Sequence, residues 1–523
     1  MRYLVHDLVE HAADRDAGAP ALADKARALS YGELATAVRA AAGGLLGLGL
    51  GREERVAIWL DKRVETVVAM FGAAAAGGVY VPVNPLLRPP QVAYILRDCG
   101  VRVLVTSPER LAMLAPELED PGALAAVVLV GDGDPGGVFG GLERRGWDEL
   151  LAAGPGRAPR ALTDADMTAI LYTSGSTGMP KGVVLSHRNV VTGGKSVSSY
   201  LGNRADDRIL AVLPLSFDAG MSQLTTGFCV GAQVVLLNYL LARDVVRACT
   251  RHRITGLTCV PPLWMKLVQE DWPAETAAEL RYFANTGGHM PRTTLDRLRA
   301  IFANARPYLM YGLTEAFRST YLDPDEVDRR PDSIGKAIPN AEVLVVRPDG
   351  TECAPGEVGE LVHRGALVSL GYWNAPELTA IRFKPAPGRP DGVPTTELAV
   401  WSGDLVRRDE DGFLYFVGRN DDMIKTSGYR VSPSEVEEAV LHTGLVREAA
   451  AIGVPDEELG QVIVVLAVPA EAGPFDPAPV LEACRKRLPL YMVPKEVQAR
   501  AELPRNANGK IDRPRLKREL TEG

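Results

Sequence analysis

Between Leu171 and Lys181 the chain reads LYTSGSTGMPK, which packs hydroxyls and glycines into a loop ending in a lysine. Thr173, Ser174, Ser176 and Thr177 offer hydroxyl donors, Gly175 lets backbone N–H groups approach anionic oxygens, and Lys181 adds a point charge. This set suits a triphosphate. The spacing G-x-x-x-x-G-K-[ST] is absent: Gly178 is followed by Met179 and Pro180 before Lys181, and Gly182 stands where that motif places a hydroxyl. Taken alone, the segment also fits a Ser/Gly-rich surface turn. A second chemically suggestive position is Asp218, which follows Phe217 in the otherwise apolar run LPLSFDAGMSQL. A buried carboxylate needs a partner, since stranding one costs about 3–5 kcal/mol. A substrate ammonium would serve, and so would a protein arginine or a helix cap.

These groups must be positioned by a large scaffold. A chain of 523 residues is too long for one compact core, so two or more domains are expected. Short apolar runs at Val56 to Leu60, Val101 to Thr106, Ala126 to Val130 and Gln233 to Leu237 alternate with helical patterns at Tyr31 to Leu48 and Glu65 to Ala75. Strands alternating with helices predict an α/β fold whose parallel sheets are covered on both faces. The stretch Val67 to Val83 is broken by Gly72, Gly77, Gly78 and Pro82, so it predicts a buried helix followed by a buried strand, not a membrane span. The Gly/Pro-rich segment Asp132 to Pro159 is expected to form a surface connection. Beyond Asp404, short strands and turns predominate: GFLYFVGR predicts a hairpin strand, and SPSEVEEAVL predicts a helix with Ser434 at its N-cap.

The net charge of −8 argues against a general nucleic-acid binder. The six cysteines (Cys99, Cys229, Cys249, Cys259, Cys353 and Cys484) form no C-x-x-C pair and read as reduced, buried thiols of a cytoplasmic protein. The N-terminus lacks the apolar run of a signal peptide.

Downstream of the first loop come YGLTEA at Tyr311 to Ala316, SGD at Ser402 to Asp404, GRNDDMIKTSGYR at Gly418 to Arg430 and NGKIDR at Asn508 to Arg513. In this order the motifs resemble the adenylate-forming superfamily of acyl-CoA synthetases, adenylation enzymes and luciferase-type proteins, over nearly the whole chain. The resemblance implies an N-terminal adenylating domain, residues 1–421, with parallel-rich sheets and a β-barrel-like subdomain. A small mobile α+β domain, residues 422–523, follows it. The hinge is expected at Asp421, so that two half-reactions share one site. ATP and Mg2+ are the implied cofactors. Lys510 matches the lysine that reaches the carboxylate and α-phosphate, Thr314 and Glu315 complete the catalytic set, and Glu315 also matches the magnesium ligand. Tyr311 would stack on adenine, Asp404 with Arg419 would hold the ribose hydroxyls, and Lys425 and Gly428 would line the pantetheine tunnel. Retention of these groups argues against a non-catalytic scaffold on the same fold.

In amino-acid-activating members, the Asp of a similar F-D motif binds the substrate amine. The combination SFDAG-x-x-QLT with TEAFRSTYL looks most like stand-alone enzymes that load β-amino acids onto acyl carrier proteins for macrolactam polyketide assembly. A similar pattern occurs in acyl-CoA ligases, so free CoA stays open as the acceptor. Gly220, Gly287 and Gly288 remove bulk where a pocket wall is expected, and Met221 and Phe317 offer apolar contacts, which favours a medium-chain 3-amino fatty acid. Arg318 either pairs with a second substrate carboxylate or serves a protein acid. Arg485, Lys486 and Arg487 read as a solvated helix face or as a contact for an acidic carrier.

Overall fold

Two sheets organise the N-terminal part of the chain, and each begins from a simple local cause. Ser30 accepts a hydrogen bond from the N–H of Glu33, while the Glu33 carboxylate accepts one from the N–H of Ser30. This capping box starts helix Tyr31–Gly47. Helix Val64–Ala75 is buried along almost its entire length, which accounts for a sequence apolar on all sides. Strand Val79–Pro82 follows it, as the glycines and proline of that stretch predict. The computed structural model describes residues 3–133, 141–153, 161–173, 180–388, 392–419, 423–471, 474–505 and 511–522.

The eight-stranded sheet places parallel strands Arg55–Trp59, Val79–Pro82, Val101–Thr106, Ala126–Leu129 and Glu143–Gly146 beside Met167–Thr173, which pairs antiparallel with Lys181–Ser186. The larger sheet has fourteen strands. Its parallel half contains Arg208–Ala211, Gln233–Leu236, Gly256–Cys259, Tyr282–Asn285 and Arg306–Tyr311. Antiparallel strands then extend the same sheet through Thr320–Leu322, Ser333–Ala337, Leu414–Arg419, Leu398–Arg408 and Val358–Gly365 to Ala341–Val346. The expected barrel-like subdomain is the antiparallel continuation of the large sheet, whose last strand Ala341–Val346 comes back against Ser333–Ala337. Helices His187–Tyr200 and Asp218–Val230 lie between the sheets, where Phe71, Phe228 and Phe317 join one core. They approach closely because a Cβ at Gly194 would stand 3.2 Å from the Thr225 carbonyl oxygen.

The segment expected as a bare connection is partly built. Strand Glu143–Gly146 extends the smaller sheet, and helix Trp147–Ala152 buries Trp147 and Leu150 in the main core. Residues 134–140 and 154–160 lie outside the described residues. All six cysteines are buried thiols, and no disulfide links them among the described residues. Among the described residues no helix is long and apolar enough to cross a membrane.

After Arg419 the chain forms sheets of its own. A hairpin pairs Ile424–Thr426 with Tyr429–Val431, and a three-stranded sheet joins Val446–Asp456, Gly460–Pro469 and Glu496–Ala499, with helices Pro433–Leu441, Ala478–Arg487 and Arg513–Glu522. The first of these helices begins two residues earlier than the Ser434 cap predicts. Ser432 is the cap and Pro433 takes the first helical position, where its missing N–H costs nothing.

Candidate active site

The end-to-end pairing of Thr173 with Lys181 closes the base of the hydroxyl-rich loop. Ser174, Gly175, Ser176 and Thr177 lie outside the described residues. Thr173 lines a cavity of about 540 Å3, and its covered hydroxyl has no partner among the described residues, which fits a group reserved for a ligand oxygen. Lys181 donates to the Tyr372 hydroxyl at 2.8 Å and stands 3.4 Å from the Glu315 carboxylate, while Tyr372 donates to the same carboxylate at 2.6 Å. Burial opposes ionisation of Glu315, but the charges of Lys181 and Arg430 and the Tyr372 hydroxyl outweigh it and hold the carboxyl down at about 2. Burial likewise lowers the Lys181 pKa, with Glu315 opposing.

Strand Arg306–Tyr311 delivers Tyr311 to the cavity wall, and its hydroxyl donates to the Asp404 carboxylate. The buried His363 ring lies parallel to Tyr311 at 6.1 Å, and burial holds its pKa near 3, so it is neutral. Asp404 and Arg419 face each other across paired strands. This donor set fits ATP and magnesium: Glu315 offers one ionised carboxylate, and no cluster of three metal-binding side chains exists among the described residues. Mg2+ held mainly by phosphate oxygens and water needs no more than that.

Asp218 opens helix Asp218–Val230 and also lines the cavity. It accepts a hydrogen bond from Thr314 at 3.2 Å and lies 3.7 Å from the Arg318 guanidinium, beyond hydrogen-bond distance. Arg318 donates instead to the Thr286 hydroxyl at 2.7 Å and is 4% exposed. A carboxylate accepts about four hydrogen bonds, so Asp218 keeps acceptor positions toward the cavity. Burial pushes its carboxyl pKa up, opposed by the Arg318 charge and Thr314.

Several expected wall positions lie elsewhere. Met221 is fully buried and accepts a hydrogen bond from Tyr80. Phe317 is fully buried beneath helix His187–Tyr200, with its ring where a Cβ on Gly193 would sit. A Cβ at Gly220 would strike the Pro214 carbonyl, so the bulk missing there is filled by the chain itself. Neither Gly220 nor Gly288 lines the cavity, whereas Phe217 and Gly287 do.

The second domain completes the enclosure. The hairpin turn carries Ser427 and Gly428 at φ values of 53° and 82°, as a two-residue turn requires. Lys425, Ser427, Gly428, Tyr429 and Arg430 line the cavity, and Tyr429 stacks on Tyr491 at 3.8 Å while meeting Phe217 edge-on at 5.3 Å. Lys510 and Asp421 lie outside the described residues. Among their described neighbours, Arg505 pairs with Ile511 and Arg513 with Glu437, and none of these lines the cavity. This orientation therefore presents the hairpin to the site. A Cβ at Gly428 would lie 3.1 Å from Val260 Cγ2. Gly428→Val is expected to lower thiol transfer by about tenfold or more through strain and overlap, with adenylate formation within about twofold. Equal losses in both half-reactions would refute a role confined to this orientation.

Sequence reasoning did not single out Gln91 and Glu435, which meet across the domain boundary at 2.9 Å, or Lys62, whose ammonium donates to the Val212 carbonyl at 2.5 Å. Burial depresses the Lys62 pKa to about 7 and raises that of Glu435 to about 7, the latter with Gln91 opposing and Glu438 adding. Glu435 Oε2 is covered without a partner among the described residues. The raised carboxyl sets the sign: the closed orientation is unpenalised below pH ~4, weakens as pH rises toward about 7, and stays weak above. Glu435→Gln is expected to flatten the pH profile of thiol transfer between pH 5 and 8 and to speed it about tenfold at pH 8. A profile identical to that of the parent enzyme would remove Glu435 from domain closure.

Comparison with known proteins agrees with this geometry. The family described as AMP-binding enzyme matches residues 9–373, and the AMP-binding enzyme C-terminal domain matches residues 435–510. The L-proline:L-prolyl-carrier protein ligase of Pseudomonas fluorescens is 33% identical over 99% of this chain and 99% of its own. Sulfoacetate:CoA ligase of Cupriavidus necator is 33% identical over 94% and 93%. Among solved structures, o-succinylbenzoate CoA synthetase from Bacillus subtilis, a double mutant bound with a product analogue, has a TM-score of 0.81 at 26% identity, covering 98% of this chain and 97% of that one. With both family regions matched, and with Thr173, Tyr311, Thr314, Glu315 and Asp404 on the wall of one cavity, the chain belongs to the AMP-binding enzyme family and is an ATP- and Mg2+-dependent, AMP-forming ligase.

Proposed function

We propose that the enzyme adenylates a β-amino acid and then passes the aminoacyl group to the phosphopantetheine thiol of a stand-alone acyl carrier protein. One observation carries this reading: Asp218 stands on the cavity wall beside Thr314, with acceptor positions left for an ammonium. The acid's carboxylate attacks the α-phosphorus and pyrophosphate leaves. The thiol sulfur then attacks the acyl carbonyl, AMP leaves with the bonding electron pair, and the thiol proton is lost. Lys510 is assigned to the first step, and the hinge at Asp421 to the rotation between steps. Mg2+ held by Glu315 would supply charge neutralisation at the phosphates, while Lys181 and Thr173 orient them.

The filled space at Gly220 and the core positions of Met221 and Phe317 withdraw the support those residues gave to a long alkyl tail. The length of the 3-amino acid is left to the series of substrates below. A second reading, an α-imino acid, is favoured by the 33% identity to the L-proline ligase. Pyrophosphate release with 3-amino acids of increasing length, their 2-amino isomers, L-proline and unsubstituted acids separates these readings. Highest kcat/KM for a 3-amino acid supports the proposal, and preference for L-proline or for unsubstituted acids overturns it.

A further inference from the structure

The outer rim of the cavity is unusual for a protein of net charge −8, because it carries arginines, a lysine and three exposed leucines. Leu240 is 94% exposed, Leu490 81% and Leu86 54%. Leu86 and Leu240 line the cavity itself, and Leu490 begins the short turn whose next two residues, Tyr491 and Met492, also line it. Scattered exposed leucines need no explanation, but two on the wall of one cavity with a third next to its lining residues do. Nor is Leu240 on a loose tip. The N–H groups of Leu240 and Leu241 both donate to the Asp244 carboxylate, at 3.2 and 2.9 Å, so the turn is held with its leucine outward.

Basic residues flank these leucines on both domains. Arg88 follows Leu86 closely, and Arg485, Lys486 and Arg487 form the exposed last turn of helix Ala478–Arg487, just before Leu490. Arg88 donates to the Arg485 carbonyl at 3.1 Å, which joins the two walls into one surface in this orientation. The Lys486 ammonium pairs with Glu482 at 2.8 Å on an exposed face, where an incoming anion competes for it; with the guanidinium groups it suits an anionic partner, and either the phosphates of CoA or an acidic carrier protein would meet that need. The leucines decide between them: a nucleotide gains little from three exposed aliphatic side chains, whereas a protein partner buries them.

We propose that Leu86, Leu240 and Leu490, together with Arg485, Lys486 and Arg487, form the docking surface for an acidic carrier protein whose phosphopantetheine arm enters between Tyr491 and the Gly428 turn. This rests on the acceptor assigned above and deepens it. The leucines anchor the carrier's helix beside its modified serine, and the basic turn steers its acidic side chains.

The test uses the full enzyme with three acceptors: a phosphopantetheinylated acyl carrier protein with an acidic second helix, CoA, and free pantetheine. Leu490→Asp and, separately, Lys486→Glu are expected to raise KM for the carrier about tenfold, with kcat within about threefold and transfer to pantetheine unchanged. Adenylate formation by the same variants is measured first. It reports the acid-activating reading and correct folding, so a failure there is distinguishable from a failure of docking. Unchanged carrier KM in both variants, an equal loss with pantetheine, or efficient transfer to CoA without transfer to the carrier overturns the docking surface.

Discussion

Lys510→Ala is expected to lower adenylate formation by about a thousandfold, while thiol transfer from a pre-formed aminoacyl adenylate stays within about threefold. Two observations separate the half-reactions. The resemblance of NGKIDR to the family motif assigns Lys510 to the forming charge on the α-phosphate, and the described residues flanking it lie away from the cavity when the Gly428 hairpin occupies the mouth. Thiol transfer is assigned to this orientation, in which Lys425 and the Gly428 hairpin line the cavity. Rapid-quench measurement of each half-reaction checks the split. Equal loss in both would mean that Lys510 serves the two steps together or that the variant is misassembled, which a melting curve distinguishes.

Glu315→Gln is expected to reduce adenylate formation by at least about a hundredfold and to raise the Mg2+ concentration needed for half-maximal rate. Glu315 balances Lys181 at 3.4 Å and the Arg430 charge, and it accepts from Tyr372. The amide keeps the shape but removes the carboxylate charge that stands 3.4 Å from the partly buried Lys181 ammonium. Breaking such an arrangement typically costs about 3–5 kcal/mol. Because the Glu315 carboxyl sits near 2, its ionisation contributes no pH dependence above about pH 4, and a rate that falls between pH 7 and 5 must come from another group. Near-normal rate and magnesium dependence in the amide variant would contradict the metal assignment.

The nucleotide side of the site is legible in the sequence because its groups fall in short contiguous motifs. Thr173 and Lys181 are the two ends of one loop, and Tyr311, Thr314 and Glu315 follow one another off one strand. The alternation of apolar runs and helical patterns likewise forecasts the strands and the buried helix Val64–Ala75. The acid and acceptor sides are less legible, because they are assembled from distant pieces. Gln91 and Glu435 are 344 positions apart, and neither carries a local signal that they meet. Glycine is ambiguous from sequence: at Gly287 the chain borders the cavity, whereas at Gly220 the same absence of a side chain admits the Pro214 carbonyl. Phe317 and Arg318 sit side by side, yet the backbone at Phe317 has a φ of 57°, and the first side chain fills the core while the second borders the cavity.

The amine-binding role proposed for Asp218 is tested by four rate constants. They are kcat/KM for adenylate formation from 3-aminobutanoate and from butanoate, by the parent enzyme and by Asp218→Asn. The account predicts that the parent prefers the amino acid by about a hundredfold or more and that Asp218→Asn removes most of this preference while changing the butanoate rate by less than about threefold. Equal losses for both acids would make Asp218 a structural partner of Arg318 and Thr314, and would contradict the account.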